Sequence, residues 1–271
     1  MTPPRTPFRQ PVLVAVGHGS RDPRARETLE RLLRRVREAR PGLDVRLAHI
    51  EIDAPPLDET LAGIAAEGRE AVLVPLLFAP GHHVTHDLPA AVAAVPGLRA
   101  AVARPLGAHP LLVEALADRL AEAGWVGGVG EDGGVGEDGG VGGDGGVGGD
   151  GVVLASAGSR DPRSGAETRR IAALLGERLG GVPVVPAYAS AAAPTVPDAL
   201  RAFAARGRHR VAVASCFTAP GLFATRAAAH APWIASAPLG DHPALARLVL
   251  RRYEEGRPAL SVSGVRQLVA I

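Results

Sequence analysis

Five side chains stand out as candidates to donate to a metal or accept a proton, in three short segments of the first half of the chain. They are His18 in VGHGSRDP, Glu51 in AHIEID, and His82, His83 and His86 in APGHHVTHDLP. Imidazole nitrogens and a carboxylate oxygen together suit a borderline divalent ion such as Fe²⁺, Co²⁺, Ni²⁺ or Zn²⁺. Neutral imidazole also accepts protons near neutral pH. A single histidine after a strand is ordinarily a loop or capping residue; several donors converging on one edge are what point to a metal. Each segment follows a run that reads as a buried strand, and the carboxyl ends of strands in an open parallel sheet form the edge where ligands bind.

The elements that must position these groups are read from the hydrophobic pattern. Val12 to Val16 is a strand; Asp22 and Pro23 then cap and open an amphipathic helix that runs to Arg40 and stops at Pro41-Gly42. Val45 to Ile50 is a second strand, Leu57 to Glu67 a helix, and Ala71 to Phe78 a third strand. A short helix from Asp87 to Val95, a strand near Leu98 to Ala103 and a helix from His109 to Ala123 complete the set. Strict alternation predicts an α/β fold with a small parallel sheet of about four strands flanked by helices.

The pattern then repeats. GSRDPR at Gly19 to Arg24 returns at Gly158 to Arg163, and APG at Ala79 to Gly81 returns at Ala219 to Gly221, both about 140 residues downstream. PLG-x-HP at Pro105 to Pro110 returns at Pro238 to Pro243. The expected organisation is two tandem lobes: a first lobe over residues 1–123, a Gly/Asp-rich linker over 124–151, a second lobe over 152–256 and a C-terminal tail over 257–271.

The repeat is also an internal control. The second copy has Ala157 for His18, Ser190 for Glu51, Leu222 and Phe223 for His82 and His83, and Arg226 for His86. What survives in both copies is what a turn and a helix cap need, and what differs is the donor set. By the same test His109 and His242, each before a helix, read as structural. Ser20 lacks the strained G-x-S-x-G elbow of a nucleophile and reads as a turn residue. Arg21 and Arg160 suit either a substrate carboxylate or a neighbouring acid. His49 shares a strand face with Glu51 and reads as packed under the loop.

Composition removes other chemistries. All 30 basic residues are arginine, which excludes the lysine of a phosphate-binding loop, of a Schiff base or of a pyridoxal anchor. The single cysteine, Cys216, excludes an internal disulfide and reads as a small core hydrophobe. The linker is built from GGVGED and GGVGGD hexads. Calcium-binding β-rolls need nine-residue repeats, so a flexible linker is the expectation. Setting its six acidic residues apart turns the formal charge of +2 into about +8 for the remainder. With 3% aromatic residues and no recognition motif, nucleic acid is not an expected partner. The start MTPPRTPFRQP has no apolar signal core, and the longest apolar run, Ala71 to Pro80, is about half a membrane span, so a cytoplasmic protein that does not enter a membrane is expected.

Three segments carry a family resemblance: GHGSRDP at Gly17 to Pro23, HIEI at His49 to Ile52, and GHHVTHDLP at Gly81 to Pro89. They resemble the CbiX/SirB-type sirohydrochlorin chelatases, ATP-independent class II lyases that insert Fe²⁺ or Co²⁺ into the tetrapyrrole sirohydrochlorin for sirohaem or cobalamin synthesis. The likeness covers the first lobe throughout and the second as a degenerate duplicate, as in the longer two-domain members. It implies that His18, Glu51 and His83 bind the metal and carry catalysis, with Ser20, Arg21, His82 and His86 on the substrate side. It also implies no permanently bound cofactor, the divalent metal being a substrate. The second lobe would replace the partner subunit of one-domain members, giving a monomer with an intrachain pseudo-dimer of lobes. A polycarboxylate tetrapyrrole suits the basic body. A reading from a different class is a carrier that binds the metal or the tetrapyrrole without turnover.

Overall fold

The computed structural model describes residues 10–126 and 150–268; the linker expectation for 124–151 therefore falls mostly outside the described residues. Val12–Gly17 (β1) is buried at every position, as a central strand of β-branched and small residues must be. It pairs in parallel with Val45–His49 (β2) on one side and Glu70–Pro75 (β3) on the other, and β3 pairs with Arg99–Val102 (β4), giving the order β2-β1-β3-β4. Helices Pro23–Ala39 (α1), Leu57–Ala66 (α2) and Leu88–Ala93 (α3) connect these strands. The first helix starts as expected, with the Asp22 carboxylate accepting from Arg24 N and Pro23 in the first turn. Its apolar stripe of Leu29, Leu32, Leu33 and Val36 is buried. On one face of the sheet Val12, Val14, Val16 and Leu73 pack with Leu57, Leu61 and Ile64 of α2 and with Leu88.

The second sheet has Gly151–Ser156 (β5) between Val184–Tyr188 (β6) and Val211–Ser215 (β7), all parallel. Its helices are Pro162–Arg178 (α5), Val196–Ala204 (α6) and Leu222–Ala228 (α7). This sheet has three strands. Where β4 would pair, Ala235 makes one isolated bridge to Val213, and the next ladder donor, Ser215 N, is taken by the Ser236 hydroxyl at 2.9 Å.

The two compact units do not follow the lobe boundaries expected from the repeat. Helix Pro110–Glu122 (α4) follows β4 in the chain but packs on α5 and β7, whereas the last helix, Pro243–Leu268 (α8), packs on α1, β3 and β4. One unit is thus residues up to 106 with 241 onward, and the other is 107–240. An amphipathic pattern shows that a helix has a buried face without showing which sheet it meets. The expected tail from 257 is likewise a continuation of α8 through Pro258 to Leu268. This helix is tied in by the buried Arg252, whose guanidinium donates to Leu106 O at 2.5 Å and to Glu255 at 2.7 Å, and by the Tyr253 hydroxyl donating to Pro11 O at 2.7 Å. Burial alone would raise the Glu255 pKa, but Arg252, Arg104 and Arg251 hold it at about 2. Gly256 permits the close approach to the sheet, since a Cβ there would lie 2.7 Å from Val72 Cγ1.

His109 and His242 do the same structural job, each Nδ1 accepting from a backbone N–H of the following helix turn, at 3.1 and 3.2 Å. Cys216 is buried and its thiol is pushed up to about 12 by desolvation, which leaves it unreactive in the folded chain. No helix among the described residues is long and apolar enough to cross a membrane.

Candidate metal centre

The chain leaves β1 through Gly17, His18 and Gly19, and leaves β2 through Ile50 and Glu51. Two hydrogen bonds continue the ladder past the strand ends, Ile50 N to Gly17 O and Glu51 N to His18 O, both 3.0 Å. Gly19 (φ +104°) lets the loops touch backbone to backbone, because a Cβ there would lie 1.9 Å from Glu51 O. This contact brings His18 and Glu51 together. The Ser20 hydroxyl accepts from Asp22 N at 3.1 Å, so the turn runs directly into the cap of α1. Arg21 is exposed in the same turn.

The third donor comes from beyond β3, which ends at Pro75 and not Phe78. In place of a helix starting at Asp87, the chain makes a π-helical turn over His83–Asp87 before α3, with the Thr85 hydroxyl donating to Gly81 O at 3.0 Å. Such wide turns are frequent at functional sites because they re-aim side chains. His83 meets His18 edge to face, with ring centroids 4.9 Å apart and an interplanar angle of 86°.

One ligand atom from each of His18, Glu51 and His83 lies within 4.8 Å of the others, the only such three-residue donor group among the described residues. Two donors bound at about 2.1 Å to one ion are at most about 4.2 Å apart, so small side-chain adjustments close the triad on a cation. His18 and Glu51 are exposed and His83 is half-buried. Three protein donors at an open edge leave coordination positions for water or an incoming ligand.

Asp87, which reads in the sequence only as a helix start, is a partner of the triad. Its carboxylate lies 2.7 Å from His83 Nδ1, so Nδ1 carries the proton and Nε2 is left as the free lone pair. The i,i+4 spacing of His83 and Asp87 on a helical turn was the available signal. His82 and His86 are exposed and stack on each other at 4.7 Å with an interplanar angle of 14°. Neither joins the group of mutually close ligand atoms, so the structure does not bring these two into the triad. The Thr85 hydroxyl, its proton spent on Gly81, accepts from His86 Nδ1 at 2.8 Å, and His82 Nε2 lies 3.5 Å from Asp87. His49 is buried beneath Gly17, and burial holds its pKa below the usual histidine value against the pull of Asp53.

The second unit reproduces the backbone without the donors. Gly158 (φ +90°) would place a Cβ 1.9 Å from Ser190 O, Ser190 N donates to Ala157 O at 3.0 Å, and the Ser159 hydroxyl accepts from Asp161 N at 3.1 Å. Beyond β7 the chain enters α7 directly, with Leu222 and Phe223 exposed where the first unit has His82 and His83.

Two α/β units on one repeated scaffold, each with a parallel sheet, and among the described residues one histidine–glutamate–histidine group on the carboxyl edge of the first, define a duplicated protein with an open cation-donor set. A family model described as CbiX matches residues 12–123 and 151–256, and the chain belongs to the CbiX family. It is similar to the sirohydrochlorin cobaltochelatase of Priestia megaterium, 24% identical over 256 residues that cover 89% of this chain and 78% of that protein. It is also similar to the chloroplastic sirohydrochlorin ferrochelatase of Arabidopsis thaliana, 28% identical over 113 residues, 40% of this chain and 50% of that one. Among solved structures, SirB from Bacillus subtilis with Fe3+ shares the fold at a TM-score of 0.68 and 20% identity, over 91% of this chain and 95% of that chain.

Proposed function

We propose that the protein inserts Fe²⁺ or Co²⁺ into sirohydrochlorin without ATP, as a sirohydrochlorin ferrochelatase or cobaltochelatase acting towards sirohaem or cobalamin. The observation that carries this reading is the donor triad of His18, Glu51 and His83, present in one unit and absent from the same backbone in the other. The family and the activities named for its similar members support it.

In this reading the three side chains hold the incoming ion through an incomplete coordination sphere, so the macrocycle nitrogens can complete it. Glu51 offsets part of the ion's charge. Insertion exchanges one M²⁺ for two pyrrole N–H protons. As His18 and His83 give up the metal they become free bases able to take those protons and pass them to water. Arg21 offers a guanidinium to a substrate carboxylate. Ser20, whose oxygen already accepts from Asp22 N, still has its O–H proton to donate, and the exposed, stacked rings of His82 and His86 are open to a substrate. The metal is a substrate, so no resident cofactor is needed.

The test mixes purified protein anaerobically with sirohydrochlorin and Fe²⁺ or Co²⁺ and follows the absorption change. Many turnovers per protein are expected. Stoichiometric binding without turnover would make the protein a carrier instead. Asp87→Ala is expected to weaken Co²⁺ binding about 10- to 100-fold by freeing His83 to rotate and change tautomer. Asp87→Asn, whose amide oxygen still accepts from Nδ1–H, should recover much of that loss; equilibrium dialysis against Co²⁺ reads both.

A further inference from the structure

Ile52 follows Glu51 with φ +67° and with 61% of its surface exposed. A β-branched side chain in the left-handed region is a rare and unfavourable choice, because its Cβ crowds the following carbonyl. A large aliphatic group left in water gains nothing from burial either. The scaffold does not ask for isoleucine here: the matching position of the second unit is Ala191, also left-handed at φ +56°. The left-handed turn therefore belongs to both copies, and the exposed aliphatic group only to the copy that carries the donors.

Its location narrows the purpose. The Ile52 Cβ would lie 3.3 Å from a Cβ built on Gly19, so the side chain stands over the turn that carries His18, next in the chain to Glu51. A macrocycle seated on an ion at the triad comes within reach of this side chain, because Ile52 adjoins Glu51 in the chain and its Cβ stands beside Gly19. Such a ring carries its charge on the rim and is apolar on its faces.

We infer that Ile52 is a substrate-positioning residue whose side chain packs against the face of the tetrapyrrole macrocycle. The inference rests on the chelatase reading and names a contact that the reading does not supply. A residue kept in an unfavourable conformation and exposed beside a reacting centre is one whose burial is completed by the ligand.

The test titrates metal-free sirohydrochlorin into the full-length protein, followed by absorption, and then measures insertion, Co²⁺ affinity and Tm. Ile52→Ala is expected to raise the sirohydrochlorin Kd and KM about 10-fold while leaving Co²⁺ affinity unchanged. Ile52→Leu should stay within about twofold of wild type, since it restores an aliphatic surface of similar size. Ile52→Gly, which suits the left-handed turn, should show the same loss of tetrapyrrole affinity with a Tm at or above that of wild type. Val126→Ala, at an exposed aliphatic residue of the other compact unit, should change nothing. Wild-type sirohydrochlorin affinity in Ile52→Ala and Ile52→Gly overturns the inference, and so does a parallel loss of Co²⁺ affinity, which would make Ile52 a support of the loop. A wild-type protein that binds sirohydrochlorin through Ile52 yet does not insert metal sinks the chelatase reading and keeps this contact. Normal insertion by all Ile52 variants does the reverse, and no binding of sirohydrochlorin by wild type removes both.

Discussion

His83→Ala protein, mixed anaerobically with sirohydrochlorin and Co²⁺, is expected to convert the tetrapyrrole no faster than buffer does. Removing a residue that only orients a ligand costs about 10- to 100-fold in metal affinity. Removing the ligand itself should cost at least that much, because water must fill the third position and Asp87 is left without the ring it holds. The fold should tolerate the change. His83 is half-buried in a π-helical turn that contributes no buried residue to the core, and substitutions of that kind ordinarily stay within about 0.5 kcal/mol, or about 2 °C in Tm. Phe223→Ala, at the matching position of the second unit, should leave Co²⁺ binding unchanged. Equilibrium dialysis, the absorption assay and calorimetry separate these outcomes; full insertion activity in His83→Ala would remove the triad from the mechanism.

The donor set of His18, Glu51, His82, His83 and His86 was readable in the sequence because two independent rules agreed on it, and the family resemblance singled out His83 from the last three. Ligands gather at the carboxyl ends of parallel strands, and His18, Glu51 and His83 each follow one such strand. The second copy, with Ala157, Ser190 and Phe223 in their places, separated chemistry from turn geometry. The cap at Asp22 and the buried stripe of α1 were equally readable, since both are local properties of the chain. What local pattern does not encode is partner choice: nothing in the periodicity of Leu111 to Leu120 says that α4 packs against α5 instead of the sheet that precedes it. The π-helical turn was hidden for a related reason, because HVTHD has the side-chain spacing of an ordinary helix and differs only in its backbone bonds. Without that turn, Asp87 read as a helix start and not as the partner of His83. Ile52 was the least readable, as isoleucine is among the last residues a sequence argument would place at positive φ.

The largest effect on the scaffold is expected from Gly19→Ala. At φ +104° an alanine is strained, at a cost of about 1–3 kcal/mol. Its Cβ would also fall 1.9 Å from Glu51 O, a backbone atom with no rotamer to move away. Relief requires the two loops to part, adding a similar overpacking cost of about 1–3 kcal/mol. Together these predict a loss of roughly 4 kcal/mol and a fall in Tm of about 10 °C, read by scanning calorimetry. Parting the loops also breaks the bond from Glu51 N to His18 O that brings two of the three donors together, so Co²⁺ affinity should fall in the same variant. Gly158→Ala meets the same geometry in the second unit, with φ +90° and a Cβ 1.9 Å from Ser190 O. It should cost as much stability and leave Co²⁺ affinity intact, because Ala157 and Ser190 offer no metal ligand. If Gly158→Ala weakened Co²⁺ binding as much as Gly19→Ala, or if neither lowered Tm, the separation of scaffold from chemistry would fail. The glycine stands in both copies because backbone meets backbone there; the donor set stands in one, so on the chelatase reading only that copy would hold an ion.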